Sequence, residues 1–189
     1  KENEIWGVFL RKAKLSEKEL QNAFLPFADL QEADLFCANL QGAHLLGANL
    51  QKAYLFCANL QGADLRANLQ EAYLVCANLQ EAHLLYANLQ GAVLSDANLE
   101  GANLFGVMAD SGTRLDGAKL TYANLYLSYL DETKTLRNAE FEEEINEIVA
   151  DFLKRRNEDL AVLDVWKIKR DNSKVVARLL EGGLVRYVC

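Results

Sequence analysis

Two histidines and a carboxylate, His44, Asp64 and His83, recur at intervals of 20 and 19 residues, and three cysteines, Cys37, Cys57 and Cys76, recur at the same intervals. Imidazole and carboxylate together can ligate a metal ion or relay a proton, and neighbouring thiols can form a disulfide. Either chemistry needs its groups to meet in space. If the three polar residues stack on successive rungs, the histidines stand roughly 9 to 10 Å apart, too far to share one ion. The column therefore reads as solvated surface residues. No Gly-rich phosphate loop and no cysteine pair at zinc spacing accompanies it. No catalytic, cofactor-binding or metal-binding residue is assigned, and an enzyme is not expected.

The shared interval points to what must position these residues, a tandem repeat. Ala-x-Leu triplets place leucine at every fifth position from Leu15 to Leu65, from Leu69 to Leu104, and from Leu115 to Leu130. Within a unit such as Ala38-Asn39-Leu40 the apolar residues sit two apart, so they share one side of an extended segment and Asn39 faces the other way. A strict period of five cannot hold an apolar stripe on a helix, which needs spacings of three and four. The remaining two positions, often Gln-Gly or Gln-Glu, suit a bend. The array is thus a strand-and-corner solenoid. Phe36 returns as Phe56 and Cys37 as Cys57, both 20 residues on, which gives four units per coil and a square cross-section.

Two stretches break the period. In QGADLRANLQ, residues 61–70, Leu65 and Leu69 are four apart, yet Tyr54 recurs at Tyr73 and Cys57 at Cys76, both 19 residues later. The unit has lost one corner residue without a change of phase. In FGVMADSGTR, residues 105–114, two units occupy eleven residues and the leucine signature is missing. A bulge or small loop on one face is expected there.

The unbroken run CANLQGAHLLGANLQKAYLFCANLQGADL resembles the pentapeptide-repeat family, whose unit is A(D/N)LxX, and the likeness extends over about residues 13–132. It implies an all-β solenoid, a right-handed quadrilateral parallel β-helix of about six coils, with Ala and Leu filling the interior and parallel backbone ladders joining the coils. The family is most abundant in cyanobacteria, and the role of most members is unknown. Some members linked to quinolone resistance are acidic rods that resemble duplex DNA and bind type II topoisomerases.

Ends of such a stack expose apolar interior and unpaired edges, so caps are expected. Residues 1–12 offer Ile5, Trp6, Phe9 and Leu10 as an N-terminal cap. Residues 133–189 read as a helical C-terminal capping region: in NAEFEEEINEIVADFLKRRN, Phe141, Ile145, Ile148, Val149, Phe152 and Leu153 fall at helical spacing, with acids at the start and bases at the end.

Of the chain 51% is apolar, but Asn, Asp or Gln interrupts at least every second repeat and no stretch reaches the roughly 18 to 20 residues that cross a bilayer. No signal peptide is visible, although the sequence starts at Lys1, and a cytoplasmic protein with free thiols is expected. The net charge is −7, and residues 23–130 hold ten Asp/Glu against four Lys/Arg. A nucleic-acid ligand is thereby disfavoured, since phosphate binding wants Lys and Arg.

Outward positions differ between faces. Two carry repeated Asn and Gln, such as Asn39, Gln41, Asn59 and Gln61 on one and Asn49, Gln51, Asn68 and Gln70 on the other, and read as solvated polar ladders. A third gathers Phe36, Tyr54, Phe56, Tyr73 and Val75 beside Cys37, Cys57 and Cys76, and its opposite carries Phe24, Phe27, Leu46, Leu85, Tyr86 and Phe105. Contiguous outward apolar groups mark a contact surface; they can also simply stack along their own column. The expected role is a non-enzymatic scaffold that docks another protein or a second copy of itself through the face of Tyr54. The alternatives are an acidic DNA mimic that binds a type II topoisomerase and a purely structural, self-associating solenoid.

Overall fold

The structure, a computed structural model, describes residues 7–125 of the 189. The expected C-terminal helical region lies outside the described residues, as do Ile5, Trp6 and the repeat ending at Leu130.

Spacing of two on an extended backbone turns Ala and Leu to the same side, and these residues form the core: Ala38, Leu40, Ala58 and Leu60 are fully buried, like their counterparts from Ala28 to Leu120 with small exceptions. Each such leucine contributes about 1.5 to 3 kcal/mol of burial. The residue between them faces outward and pairs in parallel with its counterpart one coil later. Four columns result, running from Phe9 to Met108, Lys14 to Arg114, Glu19 to Lys119 and Phe24 to Asn124, with six residues in each among the described residues. Each pairing exchanges two backbone bonds. Asn59, for example, donates its N–H to the Ala38 carbonyl at 2.9 Å and accepts from the Leu40 N–H at 2.7 Å. A four-sided parallel β-helix follows.

Corners are tight turns. In Leu55-Phe56-Cys57-Ala58 the Ala58 N–H donates to the Leu55 carbonyl at 3.1 Å, and Cys57 has φ 54°, the left-handed third residue of a type II turn. Fourteen non-glycine residues adopt this conformation among the described residues, each at a cost of about 1 kcal/mol or more. The ladder holds them there, because the Cys57 N–H also donates to the Val75 carbonyl of the next coil at 3.0 Å. Glycine is required where a ring lies over the next corner. A Cβ on Gly47 would stand 2.5 Å from Cδ1 of Phe27, and one on Gly106 would collide with the ring of Tyr86.

The short unit is closed by a three-residue turn, with the Ala67 N–H donating to the Leu65 carbonyl at 2.7 Å, a γ-turn bond. Leu65 and Ala67 stay in the core and Asn68 pairs with both Asn49 and Asn88, so the columns continue in register. The long unit is handled differently. Ala109 takes a leucine position, and Asp110 to Thr113 form a loop in which the Thr113 N–H donates to the Asp110 carbonyl at 3.0 Å.

At the N-terminal end the ladder already includes Phe9, paired with Asp29, so residues 9–12 belong to the first coil rather than to a preceding cap. Phe9 occupies an outward position and is 88% exposed, while Leu10 takes the inward place. The alternation that sends Leu10 inward sends its neighbour out.

Candidate interaction surface

The column Lys14–Asp34–Tyr54–Tyr73–Val93–Arg114 builds one side of the solenoid, and the corner after it carries Phe36, Phe56 and Val75 followed by Cys37, Cys57 and Cys76. All eight residues singled out in the sequence are therefore brought together on one side and its corner. Phe36, Tyr54 and Tyr73 are 46%, 47% and 38% exposed, Phe56 and Val75 are partly exposed, and the three thiols are free and exposed. Part of this aromatic surface is spent on itself. Tyr54 and Tyr73 stack with centroids 5.3 Å apart and planes within 4°, and Phe56 lies 6.1 Å from Tyr73 at 11°. The stack leaves the outer faces and edges of the rings open to solvent. It is bounded above and below by charge: Lys14 and Asp34 on one side, Arg114 and Asp116 on the other, the last two joined at 3.3 Å.

The thiols sit at the left-handed corner position on three consecutive coils, between Glu17 and Asp96. Desolvation pushes the Cys76 thiol up from its ordinary value, and Cys57 and Asp96 push in the same direction.

On the opposite side His44, Asp64 and His83 do form one column. The Asp64 carboxylate is engaged by Arg66, whose Nε donates to Oδ1 at 2.8 Å, and this bond holds the Asp64 carboxyl below its usual range. His44 lies 5.9 Å from the ring of Phe24. Beside the column is an open groove of about 440 Å³ lined by Gly42, Gly62, His83 and Leu85 among others. Among the described residues no group of His, Cys, Asp or Glu is arranged to hold a metal ion. Phe27 and Tyr86 of this side are half exposed over their glycine corners, and Tyr86 meets Phe105 edge-on at 5.4 Å.

The other two sides are amide ladders. Asn78 Nδ2 donates to Asn59 Oδ1 at 3.3 Å, Asn59 to Asn39 at 3.1 Å, and Asn39 to Glu19 at 2.9 Å, while Asn59 Oδ1 also accepts from the Gln61 N–H at 3.3 Å. Asn is suited to this place because its short amide can bond both along the column and back to its own corner.

Three features escaped the sequence reading. Corner positions one coil apart form the ion pairs Lys12–Glu32 at 3.3 Å and Lys52–Glu71 at 3.4 Å; their spacing of 20 and 19 was a usable signal. Asp110 Oδ1 accepts from the Gly91 N–H at 3.0 Å, replacing the corner carbonyl that serves elsewhere, and from the N–H groups of Gly112 and Thr113. Desolvation pushes its carboxyl up, but these bonds outweigh it and hold the group below the usual carboxylate range. Thr113, the buried polar residue of the core, donates its hydroxyl to the Leu89 carbonyl at 2.9 Å. No helix among the described residues is long and apolar enough to cross a membrane.

Comparison with known proteins agrees with this architecture. The family model described as pentapeptide repeats matches eight copies over residues 33–67 and 72–107, the gap falling just after the shortened unit. HetL, a pentapeptide repeat protein involved in heterocyst differentiation regulation from the cyanobacterium Nostoc sp. strain PCC 7120, is 36% identical over 69% of each chain, with a TM-score of 0.48. A second pentapeptide repeat protein of Nostoc is 29% identical over 64% of this chain and 84% of its own, with a TM-score of 0.37. A trypsin-treated form of QnrB1, a plasmid-mediated fluoroquinolone resistance protein, is 18% identical over 98% of each chain with a TM-score of 0.51, a likeness of fold. No curated protein matches the chain. By its eight matched repeats and its identity with HetL, this chain belongs to the pentapeptide repeat family, and its four-sided coils are the right-handed quadrilateral β-helix.

Proposed function

We propose that the protein is a non-enzymatic interaction scaffold that docks another protein on the side of Tyr54 and Tyr73. The observation that carries this reading is the exposure of Phe36, Tyr54 and Tyr73 as one group on a single side and its corner, flanked by two sides built largely of amide ladders. Rings already ordered by stacking lose little conformational freedom on binding, and aromatic side chains are the usual anchors of interfaces. Cysteines and Val75 extend the same surface around the corner. The charged groups at both ends of the column supply a polar rim.

The test compares the native chain with Tyr54→Ser/Phe56→Ser/Tyr73→Ser. Molar mass by light scattering in reducing buffer comes first, because a native dimer that becomes a folded monomer in the variant assigns the face to self-association. With both monomeric, capture of a protein from lysate by the native chain and its loss with the folded variant supports docking. Equal capture by the two overturns it.

A second reading has a specific motive, the net charge of −7 together with the fold likeness to QnrB1. An acidic rod could occupy the duplex channel of a type II topoisomerase. The amide ladders speak against it, since Asn39, Asn59 and Asn78 stand where a duplex mimic needs carboxylates. A supercoiling assay decides: no inhibition at micromolar protein removes this reading.

A further inference from the structure

We propose that the Cys37, Cys57 and Cys76 column is a dithiol exchange site for small-molecule disulfides, in which Cys57 bridges to one neighbour and the third cysteine stays single. The three residues share one backbone conformation, with φ of 51°, 54° and 56°, and all are exposed and free. Their corners are locked in register, because the Cys37 N–H bonds the Phe56 carbonyl at 2.9 Å and the Cys57 N–H bonds the Val75 carbonyl at 3.0 Å. Adjacent rungs therefore lie about 4.8 Å apart, inside the roughly 4.4 to 6.8 Å between Cα atoms that a disulfide spans.

Successive corners of this column are also close: a Cβ added at Gly117 would run into the Asp96 carboxylate of the coil below, 3.3 Å from its Cγ. Cys37 and Cys76, two rungs apart at about 9.6 Å, are beyond the reach of a bridge. Both feasible bridges use Cys57, so only one can exist at a time.

The exchange balances without further reactants. The Cys57 thiolate attacks a disulfide RSSR, forming a Cys57–SR mixed disulfide and expelling RS⁻, which takes up the proton Cys57 lost. The sulfur of Cys37 or Cys76 then attacks Cys57, breaking the mixed disulfide and releasing the second RSH with its proton. Two protein thiols are oxidised and one RSSR is reduced to two RSH. The flanking Glu17 and Asp96 carboxylates suit a small cationic disulfide better than an anionic one.

The test uses the full chain carrying Cys189→Ser, so that the column holds the remaining cysteines, treated with cystamine and read by intact mass and peptide mapping. The native column is expected to form one internal disulfide and to keep one thiol or one cysteamine adduct. Cys37→Ser and Cys76→Ser each still form an internal disulfide and carry no adduct. Cys57→Ser carries up to two adducts and forms no bridge, with Cys57→Ala as the substitute if the serine variant does not fold. A bridge in the Cys57 variant, adducts alone in the native column, or disulfide-linked dimers in place of the internal bridge would each overturn the proposal.

Discussion

The solenoid contains one unit that is a residue short and one stretch that is a residue long, and it accommodates them by different means. At Leu65–Ala67 the backbone does the work: the corner tightens to a γ-turn, both inward residues stay buried, and the Gly47 N–H keeps its bond to the Arg66 carbonyl at 2.8 Å. What is lost is the corner residue whose N–H would donate to the Leu85 carbonyl. At Ala109–Thr113 the added residue pulls the corner carbonyl away from Gly91, and a side chain has to stand in for it. A corner can shed a residue at little cost because its exposed tip makes few contacts. Adding one displaces an acceptor that the coil below requires, and a buried N–H left without a partner costs about 1 to 3 kcal/mol.

That difference can be broken experimentally. The largest effect is expected from Leu65→Ala, which opens a cavity inside the shortened coil and should lower unfolding free energy by about 3 kcal/mol in urea titration; a loss under about 1 kcal/mol would mean that the tight corner lets the coil collapse. Asp110→Ala should cost about 2 kcal/mol by removing the acceptor for Gly91, Gly112 and Thr113. Native-state hydrogen exchange at Gly91 should accelerate with it. If Gly91 stays protected, a carbonyl has replaced the carboxylate.

A smaller effect concerns acid. Folded Asp110 and Asp64 both titrate below the unfolded value of about 3.9, so the unfolded chain binds more protons in that range. Their contribution is fully present above about pH 5 and is lost as pH falls through the folded values. Asp110→Asn should flatten the decline of the urea midpoint between about pH 4 and 2, and an unchanged slope would show that the carboxylate is not held by its charge. Smallest of all, one glycine inserted after Arg66 restores a five-residue unit and a donor for Leu85, and should change stability by less than about 1 kcal/mol.

The sequence made the coil legible because its determinants are local and repeated. Ala58 and Leu60 declare their side by spacing alone, and the recurrence of Cys57 at Cys76 carries the register through the missing residue. The grouping of Phe36, Tyr54, Phe56 and Tyr73 followed from the same arithmetic. What could not be read were features set by contact between coils. That Tyr54 and Tyr73 are partly occupied with each other depends on ring orientation, and that Asp110 aims its carboxylate at Gly91 depends on the path of a single irregular loop. Phe9 illustrates a third limit: a large apolar residue near an open end suggests a cover, but the alternation of the strand decides its direction first. His44 and His83 were correctly placed in one column, and Arg66, the residue that occupies the Asp64 between them, was not foreseen because it belongs to the corner and not to the repeat.

The pairing of each residue with one 19 to 21 positions away has a mechanical consequence. Force applied between Phe9 and Asn124 runs along the stacking axis and loads the hydrogen-bond rows between coils one coil at a time in an unzipping direction. Such a molecule should yield as a ratchet of nearly equal steps, each freeing about 20 residues and lengthening the chain by roughly 70 Å at full extension. An internal bridge at Cys57 would silence one of those steps, leaving a gap in an otherwise regular series.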